Sequence, residues 1–158
     1  MKKIVILLVT AMLLYMCSCG TDDIDISGYS DAEIALEGIS DEPVYISVKQ
    51  LKSMDCHTVK TKSTSDKIGT VKATGVWLSD ILSEYELEQG DFSRITIYGT
   101  DEYSAPLYKD FLKENRIMLA FGIDGQPLDE DSAPVRIIIP ESDSAYWTRM
   151  VNRIKFEK

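Results

Sequence analysis

Arg136 stands among apolar residues in Val135-Arg136-Ile137-Ile138-Ile139, just after the acidic run Asp129-Glu130-Asp131. A guanidinium taken out of water needs a partner, because an unpaired buried charge costs far more than its burial returns. Two readings of Arg136 are open. In one, it satisfies buried carbonyls or pairs with a carboxylate from Asp129, Glu130, Asp131 or Asp101. In the other, it contacts a bound anion. The acids themselves lack the spaced oxygen ligands of a calcium loop, so no metal is expected of them. His57 is the sole histidine, which leaves no zinc pair and no evident Ser-His-Asp triad. No glycine-rich phosphate loop occurs. Trp147, Tyr146 and Tyr103 are types that wall a pocket for a flat or apolar ligand, or simply fill a core or its rim.

The N-terminus gives an address. Lys2 and Lys3 precede an apolar run from Ile4 to Met16. That is short of the roughly 20 residues of a membrane-spanning helix and suits the apolar segment of a signal peptide. Tyr15-Met16-Cys17-Ser18-Cys19-Gly20 follows, and resembles the lipobox of bacterial lipoproteins, in which a small residue precedes the cysteine that is acylated. Cys19 follows small Ser18 and Cys17 follows bulky Met16, so Cys19 is the expected lipidation site; Met16, where the resembled motif prefers leucine, leaves Cys17 as a lesser alternative, and an uncleaved anchor is the other reading. Residues 1–18 are then the signal peptide, and the domain is held outside the cytoplasmic membrane by its acyl chains. Losing Lys2 and Lys3 with a leader that holds no acid takes the net charge from -9 to -11. Such an excess argues against nucleic acid, whose binding needs cations on phosphates. Of three cysteines, one leaves with the leader and one takes lipid. Cys56 is left without a disulfide partner, and stability must come from a core.

The elements that must position these residues follow in order. Residues 19–31 are polar and acidic and read as a tether. Glu33–Gly38 alternates Ile34 and Leu36 inward, a strand closed by glycine. Val44–Ser47 reads as an edge strand after Pro43, and Ser47 with Gln50 forms a capping-box pattern opening a helix. Two Thr/Val-rich segments, 57–64 and 69–76, predict a hairpin. Residues 78–87 place Leu78, Ile81, Leu82 and Tyr85 on one helical face. Strands are expected at 93–99, 116–123, 134–140 and 148–158, a short helix at 108–115, and a tight turn at Asp124-Gly125. Many strands with short, separated helices make this a single α+β domain.

The segments "ATGVWLSDILSEY", "ITIYGTDEYSAPL", "IMLAFGIDGQPLDEDSAPVRIIIP" and "WTRMVNRIKFEK" resemble, in that order, the oxidoreductase molybdopterin-binding domain, the fold of sulfite oxidase's central domain. "LEGISDEPVYISVKQLKSM" is similar to that family's opening. The resemblance covers residues 32–158 and implies mixed sheets with short helices. It also implies a pterin pocket, in which Ser63, Tyr103, Arg136 and Arg149 occupy cofactor-binding positions.

The resemblance also implies a cysteine thiolate on molybdenum at the end of the strand preceding the Gly-Val segment. Ser63 stands there, and serine is a harder, less acidic ligand. The family's His-Gly is Ser132-Ala133, its Asp-Gly-Tyr is Asp101-Glu102-Tyr103, and its closing Lys-Trp is Arg149-Met150. Members of that family are typically exported folded through a twin-arginine signal, whereas this leader has Lys2-Lys3. The expectation is therefore a lipid-anchored extracytoplasmic domain without a cofactor, with no catalytic residue assigned. It would act as a binding or accessory module for an envelope protein or a small ligand. The alternative is a genuine molybdopterin-dependent oxidoreductase with an atypical metal ligand.

Overall fold

The computed structural model describes residues 23–65 and 68–158. Cys19, the leader and their expected roles lie outside the described residues. Among those described, ten strands and three short helices fold around one apolar cluster.

The first sheet runs β2 (Val44–Ser47), β1 (Glu33–Glu37), β10 (Val151–Glu157), β5 (Arg94–Gly99), β6 (Ser104–Tyr108). Only the β1–β10 pairing is parallel; the others are antiparallel. Its inward positions are Ile34 and Leu36, Ile95 and Ile97, and Ile154 and Phe156, all buried. The second sheet runs β3 (His57–Lys62), β4 (Thr70–Trp77), β7 (Met118–Ile123), β8 (Gln126–Pro127), and β9 (Arg136–Ile138) pairs with the first half of β7. β7 is buried along nearly its whole length, as expected of a strand covered on both faces. Gly75, at the bulge between β4 and β7, is required by close approach: a Cβ there would strike the carbonyl of Leu119.

The local signals in the chain are honoured. Ser47 caps α1 (Val48–Ser53) with the full reciprocal box to Gln50, and Val48 and Leu51 face the core. β1 ends at Gly38 with φ +93, where a Cβ would meet Phe156. β7 turns into β8 through Asp124 and Gly125, both at positive φ, the two-residue hairpin that such a dipeptide favours. α3 spans Lys109–Glu114.

Two expectations are corrected. α2 covers Leu78–Ser83 and buries Leu78, Ile81 and Leu82, but Tyr85 is exposed. Glu86 takes φ 57, with Glu86 N–H donating to Ser83 O and Leu87 N–H to Leu82 O. That paired closure ends the helix on a left-handed residue without glycine, and it turns Tyr85 away from the core. The expected tether, residues 19–31, is also docked from Ile24 onward. Ile24 and Ile26 are 1% and 7% exposed, and Ile24 fills the space above Gly122. The Tyr29 hydroxyl donates to Phe121 O at 2.7 Å and accepts from Leu128 N–H at 2.8 Å. Two buried isoleucines contribute about 1.5–3 kcal/mol each, which outweighs the exposed acids between them.

Candidate functional site

A cleft of about 430 Å3 opens where three segments converge. The β5–β6 turn supplies Asp101 and Tyr103. The chain after β3 supplies Ser65, and the loop after β9 supplies Asp143, Ser144, Ala145, Trp147, Thr148 and Arg149. Asp143 shapes that loop by accepting from Ala145 N–H at 2.8 Å, capping a single 3-10 turn. Tyr103 closes one side, its hydroxyl donating to Ala145 O at 2.6 Å. Glu102, which stands where the resembled family has glycine, holds φ 65. The turn has kept a glycine-like backbone while taking a side chain that finds it strained.

Trp147 is the floor. It is 2% exposed, and its indole N–H is shared between Ile139 O at 2.9 Å and Ser142 Oγ at 3.1 Å. It is therefore both core and cleft wall, which joins the two readings the sequence left open. Behind it lies Arg136, with its guanidinium carbon 5.9 Å from the Trp147 ring. Burial lowers the proton affinity of Arg136, and nearby Arg149 lowers it further against the pull of Asp129.

The carboxylate pairing expected for Arg136 is absent among the described residues. The acidic loop turns back on itself instead, Asp129 O accepting from Ser132 N–H and Ala133 N–H. Arg136 Nε is buried without a hydrogen-bond partner, and so is the hydroxyl of Thr148, a residue 1% exposed. The two lie on adjacent chain segments, since Ile137 N–H donates to Thr148 O at 2.7 Å. Buried polar groups are nearly always paired. Of the two, Thr148 lines the cleft together with Arg149, and its unmet hydroxyl marks bonding capacity there.

Of the four positions expected at the pocket, Tyr103 and Arg149 line the cleft, whereas Arg136 and Ser63 are not among its lining residues. Ser63 is 6% exposed, and its hydroxyl donates to Ser142 O at 3.1 Å and accepts from Ser65 N–H at 3.0 Å. A hydroxyl so engaged holds the loop, not a ligand. Cys56 is at the opposite end of β3, roughly 20 Å away along the strand. Its sulfur faces the carbonyls of Lys52, Met54 and Leu51 at 3.4–3.7 Å, and burial, then Asp55, push its thiol up. Thr148 and Ser65 were missed from the sequence. Thr148 follows Trp147 directly, and only the tryptophan marked that loop.

The chain matches the model of the oxidoreductase molybdopterin binding domain over residues 22–158. It belongs to that family. Among solved structures it is similar to the sulfane dehydrogenase SoxCD from Paracoccus pantotrophus, with a TM-score of 0.67 at 18% identity. The match covers 81% of this chain and 38% of that one, so this chain corresponds to less than half of that protein. No curated protein matches the chain. The sulfite-oxidase-like fold and the α+β class expected from the sequence are both present. The match begins ahead of the expected boundary at residue 32, where Ile24 and Ile26 enter the core.

The residues present do not fit the metal end of that family's cofactor. A molybdenum thiolate needs a soft sulfur at the end of β3. The side chain there is the engaged hydroxyl of Ser63, and the Cys56 sulfur is packed elsewhere. Asp101 and Asp143 also line the cleft, where a pterin phosphate would need cations.

Proposed function

We propose that this protein is an extracytoplasmic lipoprotein, anchored to the bilayer through acylated Cys19. Its molybdopterin-binding-type domain works without that cofactor as a binding module, taking a small anionic ligand in the cleft over Trp147. The observation that carries this reading is the unpartnered hydroxyl of Thr148, a residue of the cleft lining, with Arg149 at the cleft wall and Arg136 5.9 Å from the Trp147 ring. A carboxylate or oxyanion entering beside Thr148 would relieve the repulsion between the two arginines and give the Thr148 hydroxyl an acceptor. Charge-assisted bonds of this kind are about twice as strong as neutral ones. Asp101 and Asp143 then act as a filter, favouring a ligand that also carries a donor or a positive group at its far end.

The test has two arms. Protein purified from its own host grown with ample molybdate is examined for molybdenum and for oxidised-pterin fluorescence. Neither is expected, and near-stoichiometric molybdenum overturns the cofactor-free reading. The same protein is then melted against a panel of small carboxylates and oxyanions. A ligand at 100 times its Kd raises stability by about 2.7 kcal/mol. Arg136→Met should abolish that response.

A further inference from the structure

We infer that the outward lysine face of the β3–β4 hairpin lies against the anionic surface of the membrane that holds the protein. This rests on the lipid-anchor reading and extends it to an orientation. The argument begins with the docked N-terminal segment. Had the chain been free to residue 31, Cys19 would have been tied to the domain by roughly 40 Å of extended chain. Docking from Ile24 onward leaves only the four steps from Cys19 to Asp23, at most roughly 14 Å. A domain on so short a leash presents to the bilayer whichever face the chain enters.

That face can be named from the sheet register. Residues directly opposite on neighbouring strands share a face, as do residues two apart on one strand. Lys60 is opposite Lys72, Lys62 opposite Thr70, and Thr58 opposite Thr74. Thr74 is in turn opposite Gly122, and Ile24 covers Gly122. The entering chain and the exposed Lys60, Lys62 and Lys72 therefore share one face of the second sheet. The outward positions of β3 and β4 carry only lysine and threonine, in a chain whose net charge is -9.

The acids nearest the entry point are engaged: Asp23 by Lys52 at 3.0 Å, Asp124 by the Lys72 backbone N–H at 2.8 Å, and Asp25 by Ser27 N–H at 3.0 Å. The pull of lipid headgroups decays within a Debye length, about 10 Å, so the short leash is what makes the lysines count.

The experiment uses the lipidated full-length protein in vesicles, with a membrane-impermeant amine-acylating reagent and peptide mass spectrometry. Vesicles of phosphatidylcholine alone are compared with vesicles containing phosphatidylglycerol, and Lys109 and Lys113 on α3 serve as internal references. Lys60 and Lys62 are expected to react about fivefold more slowly on the anionic vesicles, with the gap closing in high salt. The N-terminal peptide is read in the same run. Acylated Cys19 with Lys60 and Lys62 reacting as fast as Lys109 and Lys113 overturns the orientation and leaves the anchor standing. An unacylated Cys19 overturns the anchor and this inference with it. A flexible Gly-Ser insertion between Gly20 and Thr21 should erase the protection; its persistence would overturn the role of the short leash.

Discussion

The two ends of β3 present opposite cases. At its start stand Cys56 and His57, the residue types usually searched for chemistry, and at its end stand Ser63 and Ser65. Yet every reactive group at the start is provided for. The Cys56 sulfur sits over three carbonyls, and His57 Nε2 meets Asp80 at 3.2 Å. Trp77 beside them is covered by Arg116 at 3.9 Å. At the other end the side chains are unremarkable, but Arg136 Nε and Thr148 Oγ1 are left without partners. The difference teaches that a site is marked by unmet bonding capacity more than by reactive residue types.

The largest test of this contrast is Trp147→Ala. Removing a fully buried indole costs about 3–5 kcal/mol, and here it also removes the indole bond to Ile139 O and opens the cleft floor. Chemical denaturation should show that loss together with loss of any ligand-induced stabilisation. A cost under about 1 kcal/mol would mean that the floor is not packed as described.

Arg136→Met is the sharper one. If Arg136 were a structural ion pair, its removal would destabilise by about 3–5 kcal/mol. An arginine kept for a ligand, with a buried unsatisfied Nε, predicts the reverse: stability unchanged or raised by about 1–3 kcal/mol, with the anion response gone. Denaturation midpoints with and without ligand separate the two outcomes. Glu102→Gly is smaller again. It removes a left-handed strain and should stabilise by about 1 kcal/mol, leaving the cleft walls Asp101 and Tyr103 in place.

Why the sequence revealed the frame and less of the site has a physical basis. The β1 alternation, the Ser47–Gln50 box, the β3–β4 hairpin and the Asp124-Gly125 turn are local rules, and each appears where its residues placed it. The α2 ending was hidden because a non-glycine left-handed cap has no compositional mark. The docked segment was hidden because Ile24 and Ile26 alternate with Asp23 and Asp25; two positions of period-two pattern are too few to outweigh the charge. The site is harder still. Tyr103 and Arg149 came from family position, and both line the cleft. Thr148 depends on what fails to reach it, and an absent partner is a property of three converging segments that no local pattern encodes.

The smallest effect belongs to the reactive-looking end. Cys56→Ala should cost about 1 kcal/mol, the loss of a half-buried small apolar group, and leave ligand binding untouched. Its thiol gives a signed pH test. Burial and Asp55 raise the folded-state pKa above the unfolded value. The folded chain therefore holds its proton longer, and the associated stability is complete below the unfolded pKa of about 8.5. It fades as pH climbs through the higher folded value, where the unfolded state binds fewer protons. Comparing wild type with Cys56→Ala from pH 7 to 10 isolates that slope, because the variant lacks it. Alkylation should tell the same story, slow in the folded protein at pH 8 and fast once denaturant is added, since only the thiolate attacks. Rapid alkylation of the folded chain at neutral pH would reverse the contrast between the two ends of β3 and make Cys56 the residue to pursue.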